Sequence, residues 1–540
     1  MRENTMGYQL RPPGNHMTRR RLLALAGGSI AASTIGPKRG AAWQTPEATP
    51  AAAAPAIADP PLPSTLAADA SPEFGAVADA LVEAMRRNRV PGTALGILFG
   101  DREEHATFGV ASLNSLAPVS PDTLFQLGSL TKTHTASAIW SLADRGDVSI
   151  DAPVRTYIPE LTLVDESVAA GVTIGNLLDH SAGWYGDEGF DTGDGDDAIA
   201  RYVAERLPVL PQIFPLGAFA SYNNAGFTLL GRLLEVATGT NYRAALENLL
   251  LGPLGLENSL LDHEAVLRRP YADGHLAMQI NGHDALTVAT PLWLPRSVDP
   301  AGGLWSTTRD VIRYARFHLA ADESVAGHAN IVSPESLLRM REPVLDAPGL
   351  GISLGRNWFV QEFEGIRLFQ HNGDTLGFHT EFLVVPEHNF AFVLLTNGNG
   401  GALTAMEVLD AALALYPGLA GLSGRAGLTR SFLAPPDAPT VDLPTETIDE
   451  YIGHYEDPGT AISVASGDDG LEMTVETIIV PGTFQPAIQP LSPPAMPITF
   501  LGEDEAVAYG ISRFPFVRDG EGNVGWVSSG LRLIPRIDGD

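Results

Sequence analysis

Cysteine is absent from all 540 positions, which excludes disulfides, thiolate metal sites, a cysteine nucleophile and a lipid-modified cysteine anchor. Basic residues are scarce: 34 Lys and Arg face 64 Asp and Glu, a net charge of −30. A surface that acidic repels nucleic-acid phosphates and anionic lipid headgroups, so neither is expected as a partner. No basic patch interleaves with aromatic residues, which removes the usual signature of nucleic-acid binding. The apolar run at 22–35 is roughly 14 residues, short of the ~20 that span a bilayer, so no stable membrane span is expected.

That short run still carries information. It follows Arg19, Arg20 and Arg21, and paired arginines before a brief apolar core mark a twin-arginine secretion signal. Residues 1–43 are therefore expected to direct export to an extracytoplasmic location, periplasmic, cell-surface or secreted. Residues 44–70 are rich in Pro and Ala without an apolar period, and read as a disordered linker.

A chain of 540 residues with 44% apolar content exceeds what one core usually serves, so two folded units plus tails are expected. Within 71–420, Val77, Leu81, Ala84 and Met85 recur at helical spacing, and 93–98 and 105–110 read as strands. Helical patterns dominate to about residue 340, strands return at 366–371, 378–385 and 390–395, and a helix closes the unit over 402–415. The pattern predicts an α+β fold: one antiparallel sheet flanked by helices, with a helical region inserted between its halves. Residues 421–446, Gly-rich and then Pro-rich, read as a second linker. From 447 to 540, short alternating strands punctuated by turns such as Gly467-Asp468-Asp469-Gly470 predict a small all-β domain.

Three short motifs carry chemistry. Gly128-Ser129-Leu130-Thr131-Lys132 precedes a helix striped by Ala136, Ile139, Trp140 and Ala143. Residues three apart share a helix face with Cβ atoms ~5–6 Å apart, so the amine of Lys132 reaches the Ser129 hydroxyl. A serine hydroxyl is a poor nucleophile until a neighbour takes its proton. A lysine does that only where burial or nearby positive charge disfavours its ammonium. The helix start adds N–H groups that favour developing negative charge. An N-capping serine followed by a surface lysine has the same spelling, so this motif alone decides nothing. Ser221-Tyr222-Asn223-Asn224 precedes a second amphipathic helix. There Tyr222 suits a proton relay, and Asn224 can exchange hydrogen bonds with Lys132 and a substrate amide. His371-Asn372-Gly373 ends a strand, where glycine lets a substrate approach the edge closely.

In this order the S-x-x-K, Y-x-N and H-x-G triplets resemble the serine β-lactamase and penicillin-binding protein family. The branch they look like is that of class C β-lactamases, D-aminopeptidases and esterases, with H-x-G in place of K-T-G. Phe125-Gln126-Leu127-Gly128, His180-Ser181-Ala182-Gly183-Trp184 and Pro300-Ala301-Gly302-Gly303-Leu304-Trp305-Ser306 are similar to the same family. The resemblance covers roughly 71–420. Tyr451-x-Gly453-x-Tyr455 looks like the lipocalin-like barrel appended to some of these peptidases. The resemblance implies a β-lactamase-like domain in which Ser129 attacks a carbonyl and forms an acyl-enzyme. Lys132 and Tyr222 would share the general-base role, with Asn224 orienting Lys132. Backbone N–H groups of Ser129 and Asp374 would hold the oxyanion, and His371, Gly373 and Gln126 would bind substrate. No cofactor or metal is implied.

Histidine has an unperturbed pKa of about 6.5 and is mostly uncharged at neutral pH, whereas the lysine of K-T-G is permanently charged. Hydrolysis of a small-molecule ester, amide or peptide substrate is therefore expected ahead of β-lactam turnover. A β-lactamase or D,D-peptidase, or a slowly deacylating penicillin sensor, is the alternative. The acidic loop 187–197 lacks calcium-loop spacing. His371, His379 and His388 lack the spacing of a zinc site.

Overall fold

In the computed structural model the described residues are 65–280, 283–320, 331–435, 437–467, 470–478, 494–509 and 511–537. The expected signal segment, most of the 44–70 linker and the centre of the 467–470 turn lie outside them.

The Pro72–Asn88 helix opens the described chain, capped by the Ser71 side chain, which accepts from Phe74 N, with Pro at its first turn. A nine-stranded antiparallel sheet follows. From one edge its strands are Arg102–Gly109, Gly92–Phe99, Phe390–Thr396, Phe378–Val385, Ile366–Gln370, Phe359–Phe363, Ile352–Leu354 and Leu345–Ala347. The ninth, Gly373–Thr375, also pairs with Phe378–Val385. The strands expected at 93–98, 105–110, 366–371, 378–385 and 390–395 all fall within this sheet. The four others are only three to five residues long, too short to show alternation.

Phe390–Thr396 is buried throughout because helices cover both faces of the sheet. Successive side chains alternate between faces. Phe390, Phe392 and Leu394 pack with Phe74, Leu81, Val408 and Leu409 of the first helix and the Gly401–Leu415 helix. Ala391, Val393 and Leu395 face the opposite core, built on the inserted helices Thr131–Asp144, Asn224–Thr238 and Thr308–Leu319.

Two further sheets lie beyond residue 450, one of four strands from Gly453–Glu456 to Met496–Pro497 and one of five from Thr499–Gly502 to Arg532–Pro535. Tyr451, Tyr455, Phe500, Phe514 and Phe516 fill the core between them. A bridge from Tyr455 to Arg536 brings the first of these strands to the last. This region packs on the larger one through its final hairpin. Tyr222 N donates to Leu531 O at 2.8 Å, Leu533 N to Ser221 Oγ at 3.0 Å, and Trp526 Nε1 to Ile213 O at 3.0 Å. The intervening stretch is packed as well: Leu428 and Phe432 are buried with Tyr222, Phe359 and Leu531. Among the described residues no helix is long and apolar enough to cross a membrane.

Candidate active site

Ser129 occupies a tight turn, Gly128–Leu130, from which the Thr131–Asp144 helix departs. Two glycines allow another strand to close on this turn. Gly128 has φ +54°, and a Cβ there would lie 2.8 Å from Asp374 N. A Cβ on Gly373 would collide with the Leu127 carbonyl oxygen and come within 2.9 Å of Ser129 N. The backbone nitrogens of Ser129 and Asp374 are thereby gathered into one small region.

Lys132 has no exposed surface. Its Nζ donates to Ser129 Oγ at 3.2 Å and to Ala301 O at 2.7 Å. Burial pushes the Lys132 pKa well below its ordinary value, and the positive charge of Arg532 lowers it further, against a smaller opposing effect of Asp187. Lysine occurs at only two positions of the chain, Lys38 and Lys132. That rarity is a sequence signal in its own right, since a lysine retained on a helix interior in so lysine-poor a protein is not decorating a surface.

Tyr222 is buried, and its hydroxyl has no hydrogen-bond partner within bonding geometry among the described residues. Burial raises the phenol pKa above its ordinary value, with Ser129 close enough to oppose that rise. His180 stacks on the Tyr222 ring, centroids 4.5 Å apart, and its Nδ1 accepts from Asn223 N at 3.0 Å. Lys132 Nζ lies 4.8 Å and the Arg532 guanidinium 4.7 Å from the ring centroid of Tyr222.

Asn224 corrects one expectation. Its amide donates to Asp187 Oδ1 at 2.7 Å and makes no hydrogen bond to Lys132. Asp187 gathers it because the same carboxylate anchors Arg532, which donates from Nε at 2.7 Å and Nη2 at 3.1 Å. Arg532, from the final hairpin, is the cleft-lining charge that sequence reasoning missed. It lies in the stretch assigned to a separate small domain, and no motif surrounds it.

These groups line a cleft of about 270 Å³ that includes Ser129, Asp187, Tyr222, Asn224, His371, Asp374, Leu531 and Arg532. His371 is buried, and its Nδ1 faces Asn372 O at 2.6 Å. Burial is the main cause that lowers its pKa to about 3, so it is uncharged at neutral pH. Gln126 is a second correction. It is buried in a short ladder opposite Trp305 and is not among the residues lining the cleft. Among the described residues no group of His, Asp and Glu is arranged to hold a metal ion.

A buried amine 3.2 Å from a serine hydroxyl, in a cleft of this kind, suits a serine hydrolase. The chain belongs to the beta-lactamase family, whose profile matches residues 77–415. Over 319 residues it is 36% identical to Penicillin-binding protein 4 of Amycolatopsis lactamdurans, which covers 58% of this chain and 82% of that protein. Unguisins hydrolase ungD of Aspergillus violaceofuscus (strain CBS 115571) is 25% identical over 373 residues, 63% of this chain and 65% of that one. In fold, the chain is similar to the crystal structure of SurE, with a TM-score of 0.65 at 24% identity, covering 86% of this chain and 99% of that one. The octameric penicillin-binding protein homologue from Pyrococcus abyssi gives a TM-score of 0.56 at 22% identity, covering 83% and 96%. These two fold likenesses span more of the chain than the 77–415 region.

Proposed function

We propose that the chain hydrolyses small esters, amides or peptides through an acyl-enzyme on Ser129. One observation carries this reading: an amine with no exposed surface lies 3.2 Å from the Ser129 hydroxyl. A lysine kept from its ammonium form by burial and by Arg532 can take the serine proton. Tyr222, whose buried phenol holds its proton, is suited to pass a proton to the leaving group rather than to act as the first base. Backbone N–H groups of Ser129 and Asp374 receive the oxyanion. Water entering the cleft then releases the acyl group.

The Asp187–Arg532 ion pair leaves little net charge on that side of the cleft, and His371 adds none, which supports neutral esters and amides. Arg532 also favours a second reading. A substrate carboxylate, such as that of a β-lactam or a peptide C-terminus, finds there the permanent positive charge that His371 does not provide. Residues 71–420 would carry the chemistry, and 447–540 would form a lipocalin-like module that closes the cleft. Export through residues 1–43 is supported by their paired arginines.

A panel of p-nitrophenyl esters, amino-acid amides and a chromogenic cephalosporin, run on wild type and Ser129→Ala, tests both readings. Turnover of esters or amides that vanishes in Ser129→Ala supports the first. Rapid cephalosporin turnover without esterase activity selects the second, and a single burst of product without turnover marks a sensor.

A further inference from the structure

A further charged cluster joins the buried side chains of His379 and Glu381 to Asp374, which is about a third exposed. It stands behind the wall of the cleft. Asp374 lines the cleft, whereas His379 and Glu381 are buried and do not reach it. We propose that His379 is a positioning residue for hydrolysis: bonded to Asp374 and backed by Glu381, it fixes the short strand whose Asp374 N–H serves the oxyanion. The inference rests on the reading of Ser129 as nucleophile and of Asp374 N–H as an oxyanion donor.

The strand needs such a brace. Gly373–Thr375 is three residues long and pairs only with Phe378–Val385, in the register Gly373↔Thr380, Asp374↔His379, Thr375↔Phe378. Few ladder bonds set its position. His379 sits directly across from Asp374, and its Nδ1 donates to Asp374 Oδ1 at 2.7 Å. Its Nε2 faces Glu381 Oε2 at 3.4 Å, two residues along the same strand face.

The main chain and Cβ of His379 are held on two sides, and its side chain is buried. Thr396 Oγ1 on the next strand donates to His379 O at 3.1 Å. Gly401, at the start of the Gly401–Leu415 helix, comes so close that a Cβ there would lie 2.6 Å from His379 Cβ. Burial alone would lower the imidazole pKa, but Asp374 and Glu381 outweigh it and hold it up at about 10. The histidine therefore stays protonated across the working range of a hydrolase. A cation fixed between two carboxylates is a strong, directional tether.

The test compares His379→Leu, His379→Asn and Glu381→Gln with wild type and Ser129→Ala. The readouts are kcat and KM on a p-nitrophenyl ester and the Ki of phenylboronic acid, which forms a tetrahedral serine adduct. Misplacing an oxyanion donor by about 1 Å costs on the order of 100-fold in rate. His379→Leu is expected to lose about 100-fold in kcat and a similar factor in boronate affinity, with KM changed less than about threefold. His379→Asn, which restores an N–H toward Asp374, is expected to recover at least about tenfold of that loss. Glu381→Gln, close in volume, is expected to lower kcat about threefold to tenfold, and it carries the test if His379→Leu does not fold. Wild-type kcat and boronate affinity in folded variants, or a loss confined to KM, would overturn the proposal. If Ser129→Ala keeps the wild-type rate, the nucleophile assignment itself fails. If Ser129→Ala is dead while the His379 and Glu381 variants are normal, only the positioning role fails.

Discussion

In the proposed mechanism, Lys132 concentrates the chemistry of the site into one side chain. Its folded-state pKa is depressed, so the neutral amine is present over a pH range in which an exposed lysine is fully charged. Activity should fall on the acid side as Lys132 becomes protonated, so kcat/KM should show an acid limb well below the ordinary lysine value of about 10.4. Because the chain has only Lys38 and Lys132, selective 13C or 15N labelling of lysine side chains gives two resonances. The Lys132 resonance is expected to titrate at markedly lower pH than an ordinary lysine; ordinary titration of Lys132 would remove the base from the mechanism. Arg532 helps to depress this pKa and Asp187 opposes it. Arg532→Met deletes a repelling cation and leaves Asp187 unbalanced, so the Lys132 pKa rises and the acid limb moves upward by about one pH unit. A pH–rate profile that stays in place would mean that the guanidinium does not act on the amine. Ser129→Ala should reduce turnover at least about a thousandfold, and mass spectrometry should find no covalent adduct with a slow ester.

Elements hold these residues through close backbone contact. The nucleophile turn and the Gly373–Thr375 strand touch at Gly128 and Gly373, where any Cβ meets main-chain atoms of the other segment. Gly373→Ala should separate them, with kcat reduced about 100-fold or more and only a modest fall in Tm, since the strand lies at the margin of the sheet. Retention of activity would show that the two segments are not in register contact. The sequence was readable where patterns are long. The strand expected at 390–395 carries an apolar run because both of its faces are covered. The S-x-x-K spacing announced its geometry because three residues on one helix face leave little latitude. Strands of three residues carry no period, and Gln126 shows the limit of local reasoning. It stands three residues before the nucleophile, yet it belongs to a ladder with Trp305 that only the folded chain reveals.

At the scale of the whole molecule, the final hairpin of the C-terminal region completes the cleft. Asp457, in the four-stranded sheet region, is buried, and its pKa is raised to about 7, chiefly by burial and also by the nearby charge of Asp187. A carboxyl raised in this way favours the folded state least when ionised. Stability should decline as pH climbs from about 4, where the unfolded carboxyl ionises, to about 7, and then level off. Asp457→Asn keeps the acceptor used by Gly459 N and Thr460 N and should flatten this decline, raising Tm above pH 7 by roughly 2–4 °C. An unchanged Tm profile would place the ionisation elsewhere. Contacts of this long range were not legible in the sequence. The stretch 421–446 was read as a linker, yet Leu428 and Phe432 pack beside Tyr222, and Arg532 meets Asp187 from 345 positions away.

That span has a consequence for the order in which the protein comes into being. Synthesis runs from one end, so Ser129 and Tyr222 leave the ribosome long before Arg532. Until the last hairpin docks, the amine beside the serine lacks the cation that helps keep it unprotonated. A molecule cut short before that hairpin would lack this cation, and with it part of what holds the Lys132 amine unprotonated.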